Sequence, residues 1–162
     1  MPVIINGTTG LSGVSTVNLA NGSVTQNILA NGVAGTGPAF FVYLGTNQGA
    51  SSGSTSKINL DTEVYDTANN FAGYRFTPTV AGYYFNALNV SSPGAFAQPM
   101  IFKNGSAFIF GAYAGEASVC SGLIYCNGTT DYIEYYVYVN ANCTLSAGQV
   151  RTYVSGFLAR AA

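Results

Sequence analysis

The sequence predicts an all-β fold, an antiparallel sandwich or barrel, and three observations carry that expectation. From Ala39 onward, apolar runs, some continuous and some alternating with polar residues, recur between clusters of turn residues. That is the pattern of many short strands joined by tight connections. None of these runs places apolar residues at the three-and-four spacing of an amphipathic helix. Finally, Asn104-Gly105, between IFK and SAFIF, has the composition of a two-residue hairpin turn, whose positive φ angles Asn and Gly adopt at little cost.

The first strand is AFFVYL (39–44), a continuous apolar run between Pro38 and Gly45. KINL (57–60) and YRFTP (74–78) are shorter, and GYYFNALNV (82–90) and QPMIFK (98–103) flank the turn-forming Ser91-Ser92-Pro93-Gly94. SAFIFGAY (106–113) follows the Asn-Gly turn, and SVCSGLIYC (118–126) leads to a longer loop opened by Asn127-Gly128. DYIEYYVYVN (131–140) and RTYVSGFLA (151–159) complete the set. Because side chains alternate along a strand, Ile133, Tyr135, Val137 and Val139 form the core face of the first of these. Tyr132, Glu134, Tyr136 and Tyr138 form the other face, where the tyrosines suit a ligand platform or, the preferred reading, a subunit interface.

Composition points the same way. Charged residues make up 7% of the 162-residue chain, and the first of them is Lys57; an average soluble protein has about a quarter. Disorder is excluded by the abundance of aromatics, and a membrane-spanning run by the Asn, Ser, Pro and Gly that interrupt every chargeless window. The remaining account of so few charges is that much of the monomer surface is buried against copies of itself or a larger assembly. The opening MPVIINGTTG lacks the basic and apolar regions of a secretory signal, so the expectation is assembly in the cytoplasm of the cell that makes it. Cys120 and Cys126 share a strand face about 20 Å apart if extended, too far to bond, so they and Cys143 are expected as reduced thiols.

The chain has no histidine, which removes Ser-His-Asp and Cys-His catalysis and His-containing zinc sites, and no Gly-rich phosphate loop carries a Lys. Neither a catalytic residue nor a cofactor is expected. The carboxylates of LDTEVYD read as a solvated loop or strand edge, with calcium binding by Asp61, Glu63 and Asp66 as the alternative. Lys57, Arg75, Lys103, Arg151 and Arg160 are scattered, so no patch suited to nucleic acid is visible.

Residues 39–159 resemble the globular head of complement's first component, subcomponent q, which shares its jelly roll with tumour necrosis factor. The resemblance rests on AFFVYL as first strand, on Phe76, Pro78, Gly82 and Tyr84 of YRFTPTVAGYY, on Lys103-Asn104-Gly105, and on Ser155-Gly156-Phe157-Leu158 of the closing strand. It implies a homotrimer of jelly rolls packed around a threefold axis, and no particular ligand.

Residues 1–37 have a different character. Leu-Ala-Asn-Gly occurs at 19–22 and again at 29–32, and INGTTGLSGV with ANGSVTQNILANG resembles the attachment arms of bacteriophage fibre proteins. Ser23 is placed to cap a short helix with Gln26, Gly32 to end it, and Val24 and Ile28 to share one face. A helix this brief borrows its stability from partners, with Val17, Leu19, Val24, Ile28 and Leu29 expected as interface residues of the arm. The expectation is a virion structural protein: an attachment arm (1–37) and a homotrimeric knob (38–162) that joins capsid or tail proteins. The rival expectation is a receptor- or glycan-binding adhesion module, and a depolymerase ranks behind both for want of catalytic residues.

Overall fold

The computed structural model describes residues 37–162. The arm residues Val17, Leu19, Val24, Ile28 and Leu29, and the short helix expected there, lie outside the described residues.

The described residues form an antiparallel jelly roll of two packed layers. In chain order the strands are β1 (Ala39–Tyr43), β2 (Gln48–Ala50), β3 (Thr55–Lys57), β4 (Thr62–Asp66), β5 (Phe71–Ala72) and β6 (Arg75–Phe76), followed by β7 (Gly82–Lys103), β8 (Ser106–Phe110), β9 (Ala114–Cys126), β10 (Ile133–Val139), β11 (Cys143–Leu145) and β12 (Tyr153–Ala161). The first layer runs β4-β1-β12-β7-β9, and the second joins β8, the C-terminal half of β7, and β10 with its small partners β3 and β6.

One strand belongs to both layers. GYYFNALNV and QPMIFK, expected as separate strands, are halves of the 22-residue β7. The Pro93-Gly94 pair between them makes a kink instead of a loop: pairing to β9 passes from Ser91↔Ala117 directly to Phe96↔Gly115, with Gly94 at φ 79°. Before the kink β7 pairs with β12 and β9; after it, with two further residues of β9 and then with β10 and β8. This change of sheet closes the two layers over one core.

That core is aromatic at its centre. Phe40 of β1 stacks on Phe76 at 4.3 Å, Phe76 meets Tyr84 edge-on at 5.3 Å, and Phe71 lies parallel to Tyr135 at 6.2 Å. Buried phenols need partners. Tyr84 Oη donates to the Val80 carbonyl at 2.8 Å, and Tyr135 Oη donates to Asn86 Oδ1 at 2.7 Å. Asn86 in turn donates Nδ2 to the Tyr84 carbonyl, so this buried group is satisfied as both donor and acceptor.

Boundaries differ from the sequence reading where side-chain burial and ladder pairing part company. In KINL, Ile58 and Leu60 are fully buried, but the ladder residues are Thr55–Lys57 just upstream. The TEVYD of LDTEVYD forms β4, which among the described residues is an edge strand paired to β1 alone. The Asn104-Gly105 turn is as expected, with φ 52° and 77°.

Candidate interaction surface

Each strand of the first layer points alternate residues inward and outward. The inward sets are core residues such as Phe40, Val42, Leu88, Ile124 and Val154. The outward sets are apolar too, which is unusual for a sheet face left open to water. Register lines them up in cross-strand rows. Tyr125 pairs with Tyr83, and Leu123 with Phe85, Phe157 and Ala39 in turn. Below them come Ser121-Ala87-Ser155-Phe41-Tyr65 and then Val119-Asn89-Tyr153-Tyr43.

The rings interact across the rows: Tyr83–Tyr125 at 5.4 Å, Phe85–Phe157 at 5.6 Å, and Phe41–Tyr153 at 5.3 Å. Arg160, opposite Tyr83 at the margin, is the one charged side chain in these rows. Leu123 is 55% exposed, Phe157 49%, Tyr83 46% and Tyr125 40%. A half-exposed ring leaves on the order of 100 Å² in water, so these four side chains alone present about 400 Å², as much as the largest patch on an ordinary monomer.

The tyrosines singled out from the sequence lie on the outer face of the second layer and are engaged within the chain. Tyr136 stacks on Phe102 at 4.1 Å, and its hydroxyl lies 3.5 Å from Glu134 Oε2. Lys57 Nζ donates to Glu134 Oε1 at 2.7 Å. The Arg75 guanidinium sits 4.6 Å from the centre of the Tyr132 ring, and Tyr138 reaches Tyr113 at 6.2 Å. This face therefore mixes rings with charges, whereas the first layer's face has almost none. The signal for the missed face was in the sequence: in β7, β9 and β12 the outward positions Tyr83, Phe85, Leu123, Tyr125 and Phe157 are as apolar as the inward ones.

At one end of the sandwich, Asp131 ties the two Asn-Gly loops together. It accepts from Asn104 Nδ2 at 2.7 Å, from the Asn127 amide at 3.0 Å and from Lys103 Nζ at 3.0 Å. The Asn104 amide, and after it Lys103 and the Asn127 N–H, hold the Asp131 carboxyl below the usual carboxylate range against the opposing effect of burial.

The structure does not bring Asp61, Glu63 and Asp66 together: the described residues contain no group of three His, Cys, Asp or Glu side chains placed to hold one metal ion. The two aspartates serve backbone amides: Asp61 Oδ1 accepts from Gly45 N, and Asp66 from Ala68 N and Phe71 N. The thiols are free, with Cys120 and Cys126 buried and Cys143 half-buried. Burial pushes Cys126 up to about 11 and raises the other two, so none is a poised nucleophile. Among the described residues no helix is long and apolar enough to cross a membrane.

The chain matches no family model and no curated protein. It is similar in structure to murine APRIL, with 14% identity and a TM-score of 0.58 over 75% of this chain and 98% of that one. The globular domain of zebrafish complement 1qA is similar at 16% identity and a TM-score of 0.53, over 77% and 99% of the two chains. Eiger TNF from S. frugiperda gives 8% identity and a TM-score of 0.52 over 78% and 95%. At these identities the likeness establishes a shared jelly-roll fold.

Proposed function

We propose that this chain is a structural protein of a bacteriophage virion: a short homotrimeric fibre, knob or decoration protein. Residues 38–162 form the knob and residues 1–37 the arm that joins capsid or tail proteins. Its work is assembly and adhesion rather than turnover. The observation that carries the self-association is the nearly chargeless aromatic face of the first layer, whose rings meet chiefly one another and remain about half exposed. The virion role rests on the chargeless, repeating first 37 residues and their resemblance to fibre attachment arms.

A ring of three is favoured over a two-fold pair because the knob carries two separate apolar surfaces. Besides the sheet face, edge strand β8 presents Phe108 and Phe110, 53% and 59% exposed, and pairs only with β7 among the described residues. A head-to-tail contact of edge on face uses both surfaces in every copy, and a threefold rotation closes it without leaving a sticky end.

Light scattering on the purified chain at several concentrations tests the assembly. The expected mass is three times the 16.8 kDa of the chain. A double substitution Leu123→Glu with Phe157→Glu buries carboxylates at the contact and is expected to yield folded monomers. A wild-type protein that stays monomeric would sink the assembly reading. The virion reading is tested separately, by locating the protein in the intact particle by cryo-electron microscopy; purified virions that lack it would end that reading.

A further inference from the structure

At the kink of β7 the fold builds a cleft that neither the sheet-face contact nor the core requires. It is about 320 Å³ in volume and is lined by Gly94, Ala95, Phe96, Gly115, Glu116 and Asn140, with Ala141 at its rim. That volume is at the small end for ligand pockets, with room for about one or two sugar rings.

Three features of the cleft point to a ligand. Phe96 forms one wall and is 51% exposed, its ring nearly parallel to that of Tyr113 at 5.8 Å and 29°. Gly115 lies beside it in the lining. Glu116 contributes a carboxylate that forms no ion pair among the described residues. Its backbone sits at φ 30°, a conformation that a non-glycine residue adopts at a cost. Asn140 clamps the kink by exchanging bonds with Phe96: its Oδ1 accepts from the Phe96 N–H at 2.9 Å and its own N–H donates to the Phe96 carbonyl at 3.1 Å. The donor left on that side chain is Nδ2.

We infer that this cleft binds a neutral oligosaccharide, with Phe96, stacked on Tyr113, as the aromatic wall and Glu116 and Asn140 as hydrogen-bonding partners of the sugar hydroxyls. A sugar ring offers an apolar C–H face to an aromatic ring and pairs of hydroxyls to its side. A carboxylate accepts two such hydroxyls in charge-assisted bonds, and an amide N–H donates to a third oxygen. Competing chemistries fit less well. A phosphate or sulfate would meet the Glu116 charge with no cation in the cleft lining, and a quaternary ammonium calls for rings on several sides, where here Phe96 is the one ring in the lining.

Placement agrees with presentation to an outside ligand. The chain enters β1 at Ala39, in the row of Phe157, Phe85 and Leu123, whereas the cleft begins at Gly115, eight residues further back along β9. That is about 26 Å away at strand rise. The site is complete within one chain, so it stands or falls independently of the trimer.

The test uses the full chain on an array of neutral, sialylated and sulfated oligosaccharides, followed by saturation-transfer NMR titration of the strongest neutral probe and of tetramethylammonium. The expected result is binding of at least one neutral oligosaccharide, with saturation from aromatic protons. Phe96→Ala and Glu116→Gln should each weaken it about tenfold or more, while Phe96→Tyr retains it. Glu116→Gly serves as a second variant, because it removes the carboxylate and relieves the positive φ; it should lose binding with an unchanged or higher melting temperature. The inference is overturned if no neutral probe binds, if binding survives Phe96→Ala and Glu116→Gly, or if only anionic glycans or tetramethylammonium bind.

Discussion

Asp131 illustrates how one side chain links local structure to stability. Its folded-state pKa is lowered, first by the Asn104 amide, so its contribution is fully present above the unfolded carboxylate range and is lost as pH falls through the folded value. Thermal melts of the wild type should therefore drop on acidification below that range. Asp131→Asn should melt lower at neutral pH and show a flatter acid dependence; equal slopes for the two proteins would refute the assignment. Gly156 makes a second residue-scale case. A Cβ there would sit 2.6 Å from the Phe40 ring and 2.8 Å from the Phe85 carbonyl, so Gly156→Ala should destabilise the domain by about 1–3 kcal/mol through overpacking. Calorimetry reads this directly, and an unchanged melting temperature would mean that the ring moves aside freely.

At the scale of elements, the strands with continuous apolar sequence were legible, and those without it were not. AFFVYL and DYIEYYVYVN became β1 and β10 because burial of alternate residues is written into them. Among the described residues the three-residue β2 and β11 pair only with each other in a small separate sheet, and their sequences, QGA and CTL, carry no period to detect. The join within β7 was hidden for a different reason. Pro-Gly is a turn signal in sequence, yet here strand pairing resumes on the same partner β9 across it, so the signal marked a kink. The cleft containing Phe96, Glu116 and Asn140 exists because of that kink, which explains why nothing in the sequence reading singled those residues out. The Asn104-Gly105 hairpin was legible to the residue because its chemistry is local.

For the whole molecule, the low charge content is the observation that connects sequence to assembly. A chain with 7% charged residues has to place its apolar surface somewhere, and the first layer's outer face holds a large share of it. Division of labour between arm and knob yields its own prediction. Deleting residues 1–34 should leave a knob that still folds and trimerises, since its core of Phe40, Phe76, Tyr84 and Tyr135 draws on residues 39–158, but that no longer incorporates into particles. Light scattering and incorporation measured on the same truncated protein separate the two properties. Normal incorporation would require another role for the first 37 residues.

The sequence alone determined that the chain is all-β, that it carries hairpin chemistry at Asn104-Gly105, and that histidine-based catalysis is absent, because strand periodicity, turn composition and residue inventory are local properties. It also demanded a buried outer surface without saying where. Only the tertiary structure decided which apolar residues share an exposed face, by register: pairing Phe85 with both Leu123 and Phe157, and Tyr83 with Tyr125, gathers residues up to 74 positions apart into one face. The tyrosines of β10, as conspicuous in the sequence, lie on the outer face of the second layer among Phe102, Glu134 and Tyr113. Which apolar residues are neighbours depends on strand order, and strand order is set by non-local pairing that no single stretch of sequence contains.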